Sequence, residues 1–207
     1  MGLFPGCAKP CGEAVSQASA TCRFDEELSL SAVFSYFGST RSAKLRFVPG
    51  GRTVSSLSAI RIARADAIAS ATLTVQTSGE GFFEITRELA GFLKSAKARD
   101  GVLLVFVRHT SASLVIQENA DPDVRVDLVT ALDRLAPADA GWVHDVEGPD
   151  DMPAHVKSML NGVSLHVPVA GGALRLGTWQ GVYVAEHRRA PHRREVIVQF
   201  IGSCGPD

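Results

Sequence analysis

From about residue 69 the hydrophobic and polar positions fall into a regular order that reads as alternating strands and helices. Leu73, Val75 and Thr77 alternate with Thr72, Thr74 and Gln76, the period-2 pattern of a half-buried strand. After the Ser78-Gly79-Glu80-Gly81 turn, Ile85, Leu89, Phe92 and Leu93 recur at helical spacing to about Ala98. Val102 to Val107 is apolar without interruption, which predicts a central strand covered on both faces. Asp121 before Pro122 suits a helix start, and Val124, Leu128, Ala131, Leu132 and Leu135 form its stripe to near Pro137. A further helix is expected from Pro149-Asp150-Asp151 to Asn161-Gly162, with acids at its positive end. Beyond it the chain turns to β structure. Val163, Leu165, Val167 and Val169 alternate with polar partners, Gly171-Gly172 offers a hairpin turn, and Leu174–Leu176, Val182–His187 and Val196–Ile201 supply three more strands. The predicted architecture is α+β, an antiparallel sandwich-like sheet with a few flanking helices.

Residues 1–68 show no such periodicity and are rich in Ser, Ala, Gly and Arg, so they read as an N-terminal extension, disordered or loosely packed, before a domain at 69–207. Composition adds little beyond an ordinary globular chain: 207 residues, 45% hydrophobic, 21% charged, and a formal net charge of -1. That balance gives no electrostatic reason to expect nucleic acid as a partner. No apolar run approaches the roughly 20 residues of a membrane-spanning helix, so no membrane partner is expected. Cys7, Cys11, Cys22 and Cys204 make no disulfide framework and only a weak zinc signal, and residues 1–23 lack a clear signal peptide, since no basic region precedes a continuous apolar one and Pro5 and Pro10 interrupt early. A cytoplasmic protein with free thiols is the expectation.

One stretch departs from this ordinary picture. His144 to His155 packs two imidazoles, four carboxylates, two prolines and a glycine into a dozen residues. Burying so many ionisable groups costs several kcal/mol each unless they are paired or metal-bound, so the segment is a solvated loop or a site. His144 precedes the expected helix, His155 lies on it, and His187 ends a strand; three N/O ligands with an open position is a common catalytic metal arrangement. Asp151 and His155 are four apart and share a helix face, so the acid can orient the imidazole or join the site. His109 has the hydroxyls of Thr110, Ser111 and Ser113 beside it, although Ser111 lacks the Gly-x-Ser-x-Gly elbow of many hydrolases. His166 and His192 look less useful. The segment Arg188–Arg194 carries four arginines and reads most simply as a solvated hairpin tip, or as an anion site if the fold gathers Lys157 and Arg175 to it. Trp179 is expected in the core.

The strings His-Thr-Ser-Ala-Ser-Leu (109–114), Glu-Asn-Ala-Asp-Pro-Asp-Val-Arg (118–125), His-Asp-Val-Glu-Gly-Pro-Asp-Asp-Met-Pro-Ala-His-Val-Lys (144–157), Gly-Thr-Trp-Gln-Gly-Val-Tyr (177–183) and Glu-His-Arg (186–188) resemble the YjbQ family. The resemblance covers about residues 71–203. It implies a compact β-rich domain, a homotrimer, and an activity described as secondary thiamine-phosphate synthase. That reaction joins a hydroxymethylpyrimidine pyrophosphate to a thiazole phosphate, so the expected partner is a small-molecule substrate. By the same resemblance His144, His155 and His187 are the set for a divalent metal ion, zinc or magnesium. Glu147, Asp150 and His109 are then candidate catalytic groups, with Asp151 orienting ligands. Lys157 and Arg188 would receive phosphate, and the motif residues Ser111 and Asn119 would line the substrate pocket. Two other readings stay open: a metal-water hydrolase, in which Glu147 or Asp150 shuttles the proton, and a noncatalytic trimeric metal or ligand binder.

Overall fold

The computed structural model describes residues 57–205. Cys7, Cys11, Cys22 and most of the proposed extension therefore lie outside the described residues. Residues 57–66 form neither helix nor strand, and the Arg61 guanidinium meets the Asp100 carboxylate at 3.1 Å.

Two antiparallel sheets form the α+β architecture. The first strand, β1 (Ala67–Thr77), pairs along its whole length with the last, β8 (His192–Cys204). β8 also pairs with β3 (Ala98–Val107), which in turn pairs with β5 (Ser164–Ala170), and β6 (Ala173–Leu174) closes the order β1-β8-β3-β5-β6. The second sheet has β7 (Gln180–Glu186) between β2 (Gly81–Glu84) and β4 (Ala112–Glu118). Their facing sides make one core, in which Leu103, Val105, Val107, Leu114, Val182, Val184, Val196, Val198 and Phe200 are almost fully buried. The alternation that marks these strands is the pleat itself: residues two apart share a face.

Among the described residues three helices complete the fold. α1 (Thr86–Ser95) buries Leu89 and Leu93 against the core. α2 (Pro122–Leu135) begins as expected, with the Asp121 carboxylate accepting from the Asp123 N–H at 2.9 Å. Its stripe is shallower than expected, for Leu132 is buried while Leu135 is 67% exposed. α3 (Asp151–Asn161) packs on β4, where the Ser158 hydroxyl donates to the Ala112 carbonyl at 2.8 Å.

Four expectations are corrected. β3 is central, yet its outer face is not fully covered by described residues, Phe106 being 38% exposed. Of the predicted strand at 174–176 only Leu174 is in β6, which the Gly171-Gly172 turn (φ 61° and 80°) folds onto Val169 and Ala170, and residues 175–177 form no strand. Trp179 is exposed rather than core. The basic segment is no solvated tip throughout: β8 starts at His192, and Arg194 is buried.

Candidate metal centre

The loop before α3 and the first turns of that helix bring three donors together. His144 Nε2 lies 2.8 Å from Asp151 Oδ2, and His155 Nε2 lies 3.4 Å from the same oxygen. These three ligand atoms all fall within 4.8 Å of one another, and the two imidazole ring centres are 5.6 Å apart. Helical geometry brings Asp151 and His155 into register four residues apart. His144 reaches them because the intervening loop folds back: Gly148 donates to the Asp145 carbonyl at 3.1 Å and adopts φ 105°, a conformation that L side chains rarely take.

The His155 imidazole is arranged as a ligand needs to be, whereas His144 Nε2 faces a carboxylate oxygen at 2.8 Å and would have to give up the proton it donates there to bind an ion. His155 Nδ1 is 3.0 Å from the Thr110 carbonyl, which can only accept, so Nδ1 carries a proton and in the neutral ring Nε2 keeps its lone pair. A carbonyl that fixes the tautomer of a histidine in this way is the usual support of a metal ligand. Asp151 is buried and has its oxygens divided, Oδ2 to the two histidines and Oδ1 to the Arg188 guanidinium. His144 is half exposed, which leaves one side of the donor group open to solvent. Two nitrogens and one carboxylate oxygen suit zinc and other first-row metals better than magnesium, which favours all-oxygen sites with retained waters.

Arg188 is the clasp of this region. Its guanidinium also donates to Asp150 Oδ2 at 3.2 Å and to the Glu147 carbonyl oxygen at 2.7 Å, and the Glu147 carboxylate lies 3.5 Å away. Burial alone would raise the pKa of Asp150, but the Arg189 N–H and the Arg188 charge outweigh it and hold the carboxyl below its ordinary range. Asp150 is thus a fixed anion. Glu147 is mostly exposed and, among the described residues, held only by the 3.5 Å contact to Arg188, so its carboxylate is less constrained than that of Asp150.

His187 and Lys157 lie elsewhere. Residues 155 and 157 are two apart on α3, about 200° around the helix, so Lys157 points away from the His144–Asp151–His155 group. Its buried ammonium is 2.5 Å from both Glu80 and Asp133. Lys157 and His187 line a separate cavity of about 310 Å³ with Glu80, Asp133 and Arg189. His187 Nε2 is 2.8 Å from the Ser113 hydroxyl, and burial, then the Lys157 charge, push its pKa down to about 4. It is a neutral histidine at ordinary pH.

The remaining candidates separate by position. Ser111 is buried, with its hydroxyl 3.1 Å from His109 Nδ1 and accepting from Arg194 at 3.2 Å. Asn119 sits past the far end of β4, roughly 25 Å along the chain from Ser111 at strand rise, and its side chain donates to the Gln180 carbonyl. Sequence reasoning passed over Glu186 and Arg194, which form a bidentate buried pair at 2.5 and 2.6 Å. A signal existed: carrying the inward alternation Val196, Val198, Phe200 back by two puts Arg194 on the core face.

Comparison with known proteins supplies the family context. A family model described as "UPF0047 protein YjbQ-like" matches residues 71–203. The UPF0047 protein sll1880 of Synechocystis is 47% identical over 131 residues, spanning 63% of this chain and 89% of its own length. Among solved structures, a YjbQ/UPF0047 family protein from Clostridium acetobutylicum is 37% identical, covers 63% of this chain and 99% of its own, and superposes with a TM-score of 0.59. The conserved hypothetical protein TT1486 from Thermus thermophilus is 40% identical over 61% of this chain and 97% of its own, with a TM-score of 0.55.

Proposed function

The chain belongs to the YjbQ-like UPF0047 family, and from that premise we propose that it is a metal-dependent enzyme acting on a small molecule, with zinc held by His144, Asp151 and His155. The observation that carries this reading is the convergence of three donor atoms within 4.8 Å on an open side of the molecule. A divalent ion there supplies Lewis acidity, polarising an oxygen ligand and lowering the pKa of water to about 7. The chain's own residues set the stage for it. Thr110 and Arg188 orient His155 and Asp151, and the exposed Glu147 carboxylate is placed to take up or deliver a proton.

Two activities compete within this reading. Thiamine-phosphate synthesis is what the family resemblance suggests, and it needs cations free to hold the pyrophosphate leaving group. Hydrolysis of a small ester or amide is favoured by a specific observation: Lys157 is already paired with Glu80 and Asp133, and Arg188 with Asp150 and Asp151. Assaying the zinc- and magnesium-loaded protein with the pyrimidine and thiazole precursors, beside a panel of phosphoesters and amides, separates them. Thiamine phosphate as product supports the synthase; turnover of the panel alone, lost in His155→Ala, supports the hydrolase. No metal-dependent turnover of either kind would leave the enzyme reading without support.

A further inference from the structure

His109 is exposed at the end of β3, one residue before the Thr110 whose carbonyl supports His155. The Ser111 backbone N–H lies 3.1 Å from His109 Nδ1, and a backbone N–H can only donate. The Ser111 hydroxyl is also 3.1 Å from that nitrogen. Its oxygen accepts from Arg194 Nη2 at 3.2 Å, and with the backbone N–H already making Nδ1 an acceptor, the hydroxyl proton is directed there too. Two donors therefore converge on one ring nitrogen, which must be unprotonated. A neutral imidazole keeps one N–H, so in His109 it sits on Nε2.

The residues that enforce this have no slack. Ser111, Arg194 and Glu186 are each 1% exposed. Arg194 is pinned by both Glu186 oxygens, and Glu186 also accepts from the Thr77 hydroxyl at 2.9 Å and from the backbone N–H groups of His187 and Arg188 at 3.1 and 3.0 Å. A rotation of Ser111 would leave an Arg194 donor unsatisfied in the interior. Although the residue is largely exposed, partial desolvation of its ring and then the Arg194 charge lower the His109 pKa, in line with a neutral ring. The next residue, Thr110, bonds His155 Nδ1 through its carbonyl at 3.0 Å, so the backbone carries His109 to the edge of the candidate metal centre.

His109 and His155 thus flank Thr110 in opposite tautomers. We infer that His109 is no metal ligand but a neutral Nε2–H donor, locked by Ser111 and Arg194, that binds an oxyanion such as phosphate or carboxylate at the His144–Asp151–His155 site. A ring with its proton on Nε2 repels a metal ion or an ammonium and welcomes an unprotonated oxygen. Ser111 is then a positioning residue behind His109, not a contact to substrate. The inference rests on the metal-site reading for where the oxyanion is held, but not for the tautomer.

The test has two arms. In histidine-labelled, metal-free protein, two-bond proton–nitrogen correlation spectra report each tautomer directly. The expected result is a protonated Nε2 and bare Nδ1 for His109, kept in Ser111→Ala because the backbone N–H of residue 111 still donates to Nδ1; a protonated Nδ1 in the parent protein overturns the inference. In zinc-loaded protein titrated with inorganic phosphate, His109→Ala should weaken phosphate binding by about tenfold or more while zinc content is unchanged. His109→Gln, which keeps an N–H donor, should restore much of it. Unchanged phosphate affinity in His109→Ala, or a loss of zinc, overturns the inference. Absence of zinc from the parent protein counts against the metal site instead, and the tautomer spectrum still upholds or overturns the lock on His109.

Discussion

His155 and Lys157, two residues apart on one helix, belong to different sites: the imidazole joins Asp151 and His144, while the ammonium turns inward to Glu80 and Asp133. The turn of α3 thus works as a partition. On one side is the open donor group; on the other is the cavity that Lys157 shares with His187.

Lys157→Ala should therefore cost stability without touching the metal centre. Lys157 is buried but Asp133 is half exposed and Glu80 partly so, so water screens the charge left behind and the cost is about 1–3 kcal/mol. Urea unfolding is expected to show a loss of that order, with zinc stoichiometry unchanged. Loss of zinc in a variant that remains folded would mean the two sides of the helix are not independent.

Stability should fall between about pH 6.5 and pH 4 through His187. Its folded pKa is depressed to about 4, so the unfolded chain binds the proton more readily in that window. Its contribution is complete above the unfolded value and is lost as pH falls toward the folded one, a difference of about 3 kcal/mol from the size of the shift. In His187→Gln the slope of unfolding free energy against pH should flatten over that range. An unaltered slope would assign the acid sensitivity to other groups.

The Glu186–Arg194 pair should behave as a buried bridge between the sheets. Burial by itself would raise the Glu186 pKa, but Arg194 and the other donors hold it down, so its contribution is present above the unfolded carboxylate value and lost in acid. Arg194→Met should destabilise by about 3–5 kcal/mol, and adding Glu186→Gln should recover part of the loss. A single-variant cost below about 1 kcal/mol, measured by urea unfolding, would contradict this.

Much of the fold was legible because the pleat and the helix repeat write themselves into the order of apolar residues. Asp121-Pro122 marked the start of α2, and the run to Asn161-Gly162 marked α3. The continuous apolar run of β3 misled in one respect, since sequence cannot say whether anything lies over the face that carries Phe106. In the candidate site, His144, Asp151 and His155 were within reach of sequence because helix spacing and one short loop join them. His187 was not, because which side of α3 faces the end of β7 is decided by the packing of two sheets. The basic segment failed for a related reason: four arginines look solvated until pairing with β1, which places Arg194 opposite Val75, draws its side chain under the strand.

Metal content tests the central claim most directly. The protein, stripped with chelator and reloaded with zinc, is dialysed and analysed by elemental spectroscopy beside His144→Ala and His155→Ala. Removal of a ligand from a three-donor group should abolish retention at low zinc, so the parent should hold about one zinc per chain and each folded variant close to none. Equal zinc in parent and variants, or none in the parent, would contradict the assignment of His144, Asp151 and His155 as a metal centre.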